Sequence, residues 1–173
     1  MTSQKTEKNR RKKLDERRRD LIKELWGKEL ETLSLWSRHE HDGFSTIPRT
    51  LPHIIRIIDA LSGAGAPLGT TYTSLWCRVS DEGFVEIKDK EILAYESGFG
   101  GQRAVTTWQS RMKKLSDLGF ISSKPGLKGD FQYVLILNPL SVIKGIYDDP
   151  SMTKDSRYHA LFERMQEVGA EWD

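Results

Sequence analysis

The stretch that decides the fold is FVEIKDKEILAYESGFGGQRAVTTWQSRMKKLSDLGFISSKPGLKGDFQYVLILN, residues 84–138, because its hydrophobic period changes repeatedly along its length. Apolar and polar residues alternate over residues 84–87, which predicts a short half-buried strand. Asp89 is a residue type that caps helix N-termini, and Gly98 would end the helix that begins there. The apolar face of this helix would be formed by Ile92, Leu93 and Tyr95.

A second helix is predicted over residues 102–118, after a tight glycine-rich turn at residues 98–101. Its apolar residues recur at spacings of three, four and three, so they share a face that points into a core: Val105, Trp108, Met112 and Leu115. The opposite face is polar and basic, and it carries Arg103, Thr106, Thr107, Ser110 and Lys114. This helix is therefore expected to have one core face and one solvent face.

Two strands are predicted after this helix. The first covers residues 120–122 and the second covers residues 131–137, and Pro125, Gly126 and Gly129 break the chain between them. The elements therefore follow the order strand, helix, turn, helix, strand, loop, strand. With the helices predicted elsewhere in the chain, this order predicts an α+β protein that is mostly helical and has one small three-stranded sheet.

The chain on either side of this stretch is predicted to be helical. Residues 1–13 form a basic arm that is expected to be disordered, because it lacks apolar anchors. Residues 14–38 form an amphipathic helix whose apolar stripe must be covered by the rest of the protein or by a second subunit. Residues 50–138 form the main domain, which includes a core helix at residues 51–61. Residues 139–173 form a C-terminal helical extension.

The net charge of +2 is unevenly distributed. Residues 1–20 hold nine Lys or Arg against four Asp or Glu, and residues 103–128 hold six against one, whereas residues 148–173 are acidic. Two basic zones on an otherwise mildly acidic chain indicate a polyanionic partner that is contacted at two places. The first zone has two interpretations, a phosphate-binding arm and a solvated tail. Both apply to Arg10, Arg11, Lys12 and Lys13.

Several classes of function have no motif in the sequence. The glycine clusters follow predicted helices, whereas a phosphate-binding loop follows a strand, and no hydrolase, metalloprotease or kinase motif occurs. His39 and His41 lie in a polar connector without the spacing of a metal motif. We therefore expect neither an enzyme nor a bound cofactor or metal.

The expected location is the cytoplasm, at the nucleoid. No apolar run reaches the ~20 residues that span a bilayer, so no membrane partner is expected. The single cysteine, Cys77, cannot form an intramolecular disulfide, which is typical of a reducing compartment. It is expected to be a buried small hydrophobic residue beside Trp76.

Residues 84–138 resemble the winged-helix superfamily of bacterial regulators. The most specific part is MKKLSDLGFI at residues 112–121, which is similar to the usual passage from a recognition helix into the first strand of the wing. The resemblance implies a winged-helix domain whose three strands form the wing sheet. The helical extensions are similar in layout to MarR-type regulators, which dimerise through such helices, although the wing lacks their Asp-x-Arg pattern. Plasmid replication and partition proteins also use winged helices.

The expected function is sequence-specific binding of double-stranded DNA by a bacterial or mobile-element (plasmid or phage) transcriptional regulator, with the helix at residues 102–118 in the major groove. Base edges would be contacted by Gln102, Arg103, Thr106, Thr107 and Ser110. Phosphates would be contacted by Lys113, Lys114, Lys124 and Lys128. The expected assembly is a homodimer through the helical extensions. The alternative is an interaction module in plasmid replication or partition that binds DNA non-specifically or not at all.

Overall fold

A computed structural model describes the backbone of residues 4–172, and within that range the side chains of all residues except 4–8, 10, 11 and 81. The chain divides into two compact units, Met1–Gly43 and Phe44–Asp173. The second unit contains every strand of the described chain and a continuous apolar core. The expected class is confirmed at the coarse level: the protein is α+β and mostly helical, with a three-stranded antiparallel sheet.

The first unit consists of helix α1 (Gln4–Trp26), a short 3₁₀ turn (Gly27–Glu31) and an irregular segment. The helical backbone therefore includes residues 4–13, which we expected to be a disordered arm. Lys, Arg, Glu and Gln are strong helix formers, which favours a helix without apolar packing. The helix predicted over residues 14–38 ends early, because Gly27 has a φ of +49° and leaves the α-helical conformation.

The second unit has six α-helices among the residues that the structure describes. In chain order they are α2 (Leu51–Ser62), α3 (Gly69–Trp76), α4 (Lys90–Glu96), α5 (Ala104–Asp117), α6 (Pro139–Tyr147) and α7 (Ser156–Val168). The core helix predicted at residues 51–61 is confirmed as α2, whose residues Ile54, Ile57 and Ile58 are completely buried. The Asp59 carboxylate accepts hydrogen bonds from two backbone N–H groups at the start of α3, those of Leu68 (2.7 Å) and Gly69 (2.8 Å).

The three strands are β1 (Phe84–Glu86), β2 (Ile121–Gly126) and β3 (Gly129–Ile136), in the antiparallel order β1-β3-β2. On the inner face, Val85 lies opposite Val134, and both side chains are buried against the helices. β2 is an edge strand, and its register shifts between Lys124 and Gly126. Pro125, which has no backbone N–H to donate, is tolerated at such an irregular edge position.

Three helices of the second unit end next to a glycine with a positive φ, and the first of these ends, at Gly98, is the one that the sequence predicts. After α4, the N–H of Gly98 donates to Tyr95 O and the N–H of Phe99 donates to Ala94 O, both at 2.9 Å. Gly98 has a φ of +84°, which this C-terminal motif requires and glycine adopts at least cost. The equivalent glycines are Gly119 after α5 and Gly169 after α7, with φ of +82° and +71°.

Two burial predictions are wrong. In α4, Leu93 and Ala94 are buried, whereas Ile92 and Tyr95 are exposed, so the core face of this helix lies elsewhere than expected. A helix of seven residues offers too few turns for periodicity to identify its buried face. Cys77 is also exposed rather than buried, because α3 ends at Trp76 and the chain leaves the core at that point.

Candidate nucleic-acid interface

The candidate interface is centred on α5, which has two contrasting faces. Of the four residues predicted for its core face, Trp108, Met112 and Leu115 are completely buried, whereas Val105 is half-buried against the core. The ring of Trp108 meets that of Phe131 from β3 edge-on, with the ring centroids 6.0 Å apart. This packing fixes the rotation of α5 about its axis, and it therefore decides which side chains face solvent.

Most of the predicted contact residues on α5 lie on its solvent side. Arg103, Thr106, Ser110 and Lys113 are exposed at spacings of three, four and three, so they form one stripe, while Thr107 and Lys114 are half-buried at its borders. The helix begins at Ala104 rather than at residue 102. Gln102 and Arg103 are therefore exposed residues of the preceding turn, with Arg103 at the N-cap position.

The helix α4, which packs against α5, is held at both of its ends. The Asp89 side chain caps α4, because its Oδ1 accepts hydrogen bonds from the N–H of Glu91 (2.8 Å) and of Ile92 (3.2 Å). At the other end, the Ser97 hydroxyl lies 3.1 Å from that of Ser74 on α3, and both serines are buried. Both ends of α4 are thus fixed before the chain enters the turn.

Arg111 is a basic residue of α5 that does not share the solvent stripe. Its guanidinium lies over the ring of Phe99, 5.9 Å from the ring centroid, and Nη2 is 3.5 Å from the carbonyl oxygen of Gly65. These contacts join α5 to the turn before it and to the loop between α2 and α3. One cation of the basic zone at residues 103–128 is therefore directed toward the protein, where it positions the helix.

Lys113 has a neighbour of opposite charge on the same face. Its Nζ lies 3.2 Å from Asp117 Oδ1, one turn further along α5. Both side chains are well exposed, so water and salt screen the pair and it holds the ammonium group only weakly. The carboxylate of Asp117 offsets part of the positive charge that Lys113 adds to this face.

The hairpin formed by β2 and β3 carries the next set of predicted contacts. Lys124 and Lys128 are both exposed, and Lys128 lies in the two-residue loop between the paired residues Gly126 and Gly129. The other loop residue, Leu127, is fully exposed. The hairpin follows α5 after only three residues, so the helix and the hairpin belong to one continuous segment of the chain.

Sequence reasoning missed the positions of two residues of α4. Lys90, the first residue of α4, reaches the hairpin, since a Cβ added at Gly129 would lie 2.5 Å from the Lys90 ammonium nitrogen. Tyr95 is 80% exposed one turn before the Gly98 bend, although its spacing had suggested a core role. Neither position follows from periodicity, because both depend on how α4 packs against α5 and the sheet.

The four predicted arm contacts belong to the first unit. Lys12 and Lys13 are exposed on α1, whereas the side chains of Arg10 and Arg11 lie outside the described residues. Further along α1, Arg18 Nη1 pairs with Asp15 Oδ1 at 3.3 Å, and both side chains are largely exposed. The cations of α1 thus belong to the first unit, whereas those of α5 and the hairpin belong to the second unit.

An ion pair links the chain just after α3 to the C-terminal end of α4. Arg78, just after α3, donates from Nε (2.7 Å) and Nη2 (2.5 Å) to the two carboxylate oxygens of Glu96. These hydrogen bonds hold the pKa of Glu96 below its ordinary value.

In the core nearby, burial raises the pKa of Tyr72 to about 12, so this phenol stays neutral at physiological pH.

Comparison with protein-family models finds no match for this chain, and comparisons with curated proteins and with solved structures find none either. Among the helices of the described chain, each is too short or too polar to cross a lipid bilayer.

Proposed function

We propose that the chain is a winged-helix protein that binds double-stranded DNA sequence-specifically, as a transcriptional regulator of a bacterium or of a plasmid or phage. One observation carries the proposal. α5 exposes a polar and basic stripe while Trp108, Met112 and Leu115 on its other face are completely buried, and a hairpin with exposed lysines follows it directly. The order β1, α4, turn, α5, β2, β3 also supports it, because winged helices share this order.

The dimensions of α5 suit a major groove. Its 14 residues span ~21 Å at 1.5 Å per residue, and the groove is ~12 Å wide. Residues near the N-terminus of a recognition helix reach base edges most readily, which favours Gln102 and Arg103 as base contacts. Thr106, Thr107 and Ser110 would follow one turn later. The phosphate contacts would be the lysines of the helix end and hairpin: Lys113, Lys114, Lys124 and Lys128.

The direct test is selection of binding sites from a random duplex library, followed by Arg103→Ala on the selected site. Arg103→Ala should weaken binding by ~1–3 kcal/mol and relax selectivity at one base pair, because alanine cannot form the bidentate hydrogen bonds of arginine to guanine. Arg56→Ala on α2 is the matched control, since it removes an exposed arginine outside the proposed interface. Failure to enrich any sequence would refute specific binding.

The basic part of α1 is tested separately by deleting residues 1–13, which removes six Lys or Arg. Affinity should fall by similar factors on selected and random duplexes, because phosphates carry no sequence information. The slope of log affinity against log salt concentration should flatten by ~0.9 for each phosphate that the shortened chain no longer neutralises. An unchanged slope would exclude these cations from the interface.

The alternative is an interaction module in plasmid replication or partition, and one observation favours it. The outer face of the sheet exposes four large apolar side chains, those of Phe84, Tyr133, Leu135 and Leu137. Contiguous apolar residues of this kind often mark protein-binding surfaces. Measuring both selectivity and salt dependence separates the two functions. A steep slope of log affinity against log salt concentration, without any selectivity among duplexes, would indicate an accessory, non-specific DNA-binding role.

A further inference from the structure

The outer face of the sheet leaves apolar side chains in contact with solvent. On the inner face, Val134 and Ile136 of β3 are buried against the helices. On the outer face, four large side chains keep relative exposures between 38% and 44%, those of Phe84, Tyr133, Leu135 and Leu137. An apolar face of this kind is available to a partner, and the polar residues beside it indicate which partner fits.

The register of the sheet places these side chains in two rows that run across the strands. From β1 through β3 to β2, the first row consists of Phe84, Leu135 and Ser122. The second row consists of Glu86, Tyr133 and Lys124. Paired residues of an antiparallel sheet project to the same side, so both rows belong to the outer face. The rings of Phe84 and Tyr133 stack across the two rows, with their centroids 6.4 Å apart.

The second row has a carboxylate at one edge of the sheet and an ammonium group at the other. Glu86 on β1 and Lys124 on β2 are both exposed, and β3 separates their backbones by two strand spacings, about 10 Å. Lys88 Nζ lies 3.8 Å from Glu86 Oε2, in an exposed pair that holds the carboxylate only weakly. Glu86 can therefore accept a cation from outside the chain.

We propose that a second copy of this chain covers the outer face of the sheet, in a dimer with twofold symmetry whose two sheets pack face to face. With the symmetry axis parallel to the strands and above β3, β1 of each copy would face β2 of the other. Glu86 would then lie opposite Lys124 of the partner subunit, and Lys124 opposite the partner's Glu86. Packed sheets lie ~10 Å apart, a distance that two long facing side chains can bridge.

The arrangement of charge favours a second copy over an unrelated protein. A twofold interface uses the same surface on both subunits, so this surface has to supply its own opposite charges. The outer face does so, because Glu86 and Lys124 lie on opposite sides of β3 in one row. A symmetry axis across the strands would instead bring the two copies of Glu86 together, and repulsion between like charges disfavours that orientation.

The dimer should be weak and should depend on protein concentration, because the apolar side chains are few and only partly exposed. It does not depend on the proposed DNA binding. Lys124 is also one of the proposed phosphate contacts, so a phosphate and the partner's Glu86 would compete for the same ammonium group. Dimerisation is therefore measured in the absence of DNA.

The test is analytical ultracentrifugation of the full chain over a wide range of protein concentrations at low salt, where exposed charges are least screened. Wild-type protein should show a monomer–dimer equilibrium. Glu86→Lys and Lys124→Glu each place like charges opposite each other at two contacts, and each should weaken dimerisation about tenfold. The double variant, with both substitutions, exchanges the two charges and should restore wild-type association.

A mixture of the two single variants adds an independent readout. In a heterodimer of Glu86→Lys with Lys124→Glu, opposite charges meet again at both contacts, so the mixture should associate more strongly than either variant alone. Glu163→Lys is the matched control, because it makes the same change of charge at an exposed position on α7, outside the sheet. This control should associate as the wild type does.

Two results would overturn the proposed dimer. One is a wild-type chain that stays monomeric at every concentration. The other is a dimer that both single charge reversals leave unchanged, which would assign the contact to another surface, such as the apolar face of α1. Neither result affects the proposed selective binding of DNA, which the selection of binding sites tests separately.

Discussion

Helices α1 and α2 both carry apolar residues at helical spacing, but α2 is much the more amphipathic of the two, and the burial of these residues differs. In α2, Ile54, Ile57 and Ile58 are all completely buried. In α1, Leu21 and Leu25 retain relative exposures of 51% and 63% within the described chain. Amphipathic spacing predicts that a helix has an apolar face, but the energy of burial arises only where another element packs against that face.

The helix α5 has one buried apolar face and one exposed polar face. Its inner face resembles α2, with Trp108 and Met112 completely buried, and its outer face carries Thr106 and Ser110 in solvent. The inner face should therefore determine stability and the outer face should determine binding. The effect of a substitution should accordingly depend on the face on which it falls, from large losses of stability in the core to small ones at the surface.

Trp108→Ala should destabilise the protein by ~3–5 kcal/mol, because it removes a large side chain from a filled core. The measurement is the free energy of unfolding from urea titrations monitored by circular dichroism. Tyr95→Ala is the control, since this aromatic residue is 80% exposed and its removal should change stability by no more than ~0.5 kcal/mol. Equal effects in both variants would contradict the assignment of the faces.

A matched aliphatic pair tests α2 against α1. Ile57→Ala should cost ~2–5 kcal/mol because it opens a cavity in the core, whereas Leu25→Ala should cost no more than ~0.5 kcal/mol. Both are measured by thermal and urea unfolding at low protein concentration. A large loss in Leu25→Ala would show that the α1 stripe is covered in solution, and dependence of that loss on protein concentration would identify a second copy as the cover.

Asp89→Ala should destabilise by ~1 kcal/mol, because two backbone N–H groups at the start of α4 lose their hydrogen-bond acceptor. This local effect should be smaller than either core substitution. Asp130→Ala, at a hairpin position, is the control for removal of one negative charge. If urea unfolding showed the same stability for both variants, the cap would contribute nothing to the second unit.

The smallest effect concerns the Arg78–Glu96 pair. The hydrogen bonds to Arg78 lower the pKa of Glu96 in the folded protein. The pair therefore stabilises the folded protein at pH values above the ordinary carboxylate range, and this stabilisation is lost as the pH falls through the lowered pKa of Glu96. Glu96→Gln should therefore cost less than ~1 kcal/mol at pH 7, since the pair is partly exposed.

The pH dependence provides the readout for this pair. The difference between wild type and Glu96→Gln should shrink as the pH falls through and below the ordinary carboxylate range, because the wild-type carboxylate is protonated first in the unfolded chain and then in the folded chain. Glu163→Gln, at an exposed position on α7, is the control for loss of a carboxylate. A difference that stays constant down to a pH of about 2 would show that charge has no part in the contact.

Local hydrogen bonds explain why much of the fold could be predicted from the sequence. The cap at Asp89 and the helix ends at Gly98, Gly119 and Gly169 involve partners within about five residues, so the neighbouring sequence is enough to predict them. The inner face of α5 could also be predicted, because its 14 residues repeat the apolar spacing often enough to define one direction.

Tertiary packing decided the rest. The directions of Tyr95 and Arg111, the exposure of Cys77 and the approach of Lys90 to Gly129 all depend on elements far apart in the chain. A side chain is buried when another element lies against it, and no single segment contains that information. The sequence by itself therefore determined the basic zones and the elements of residues 84–138, and the packing of α4, α5 and the hairpin decided which side chains form the candidate interface.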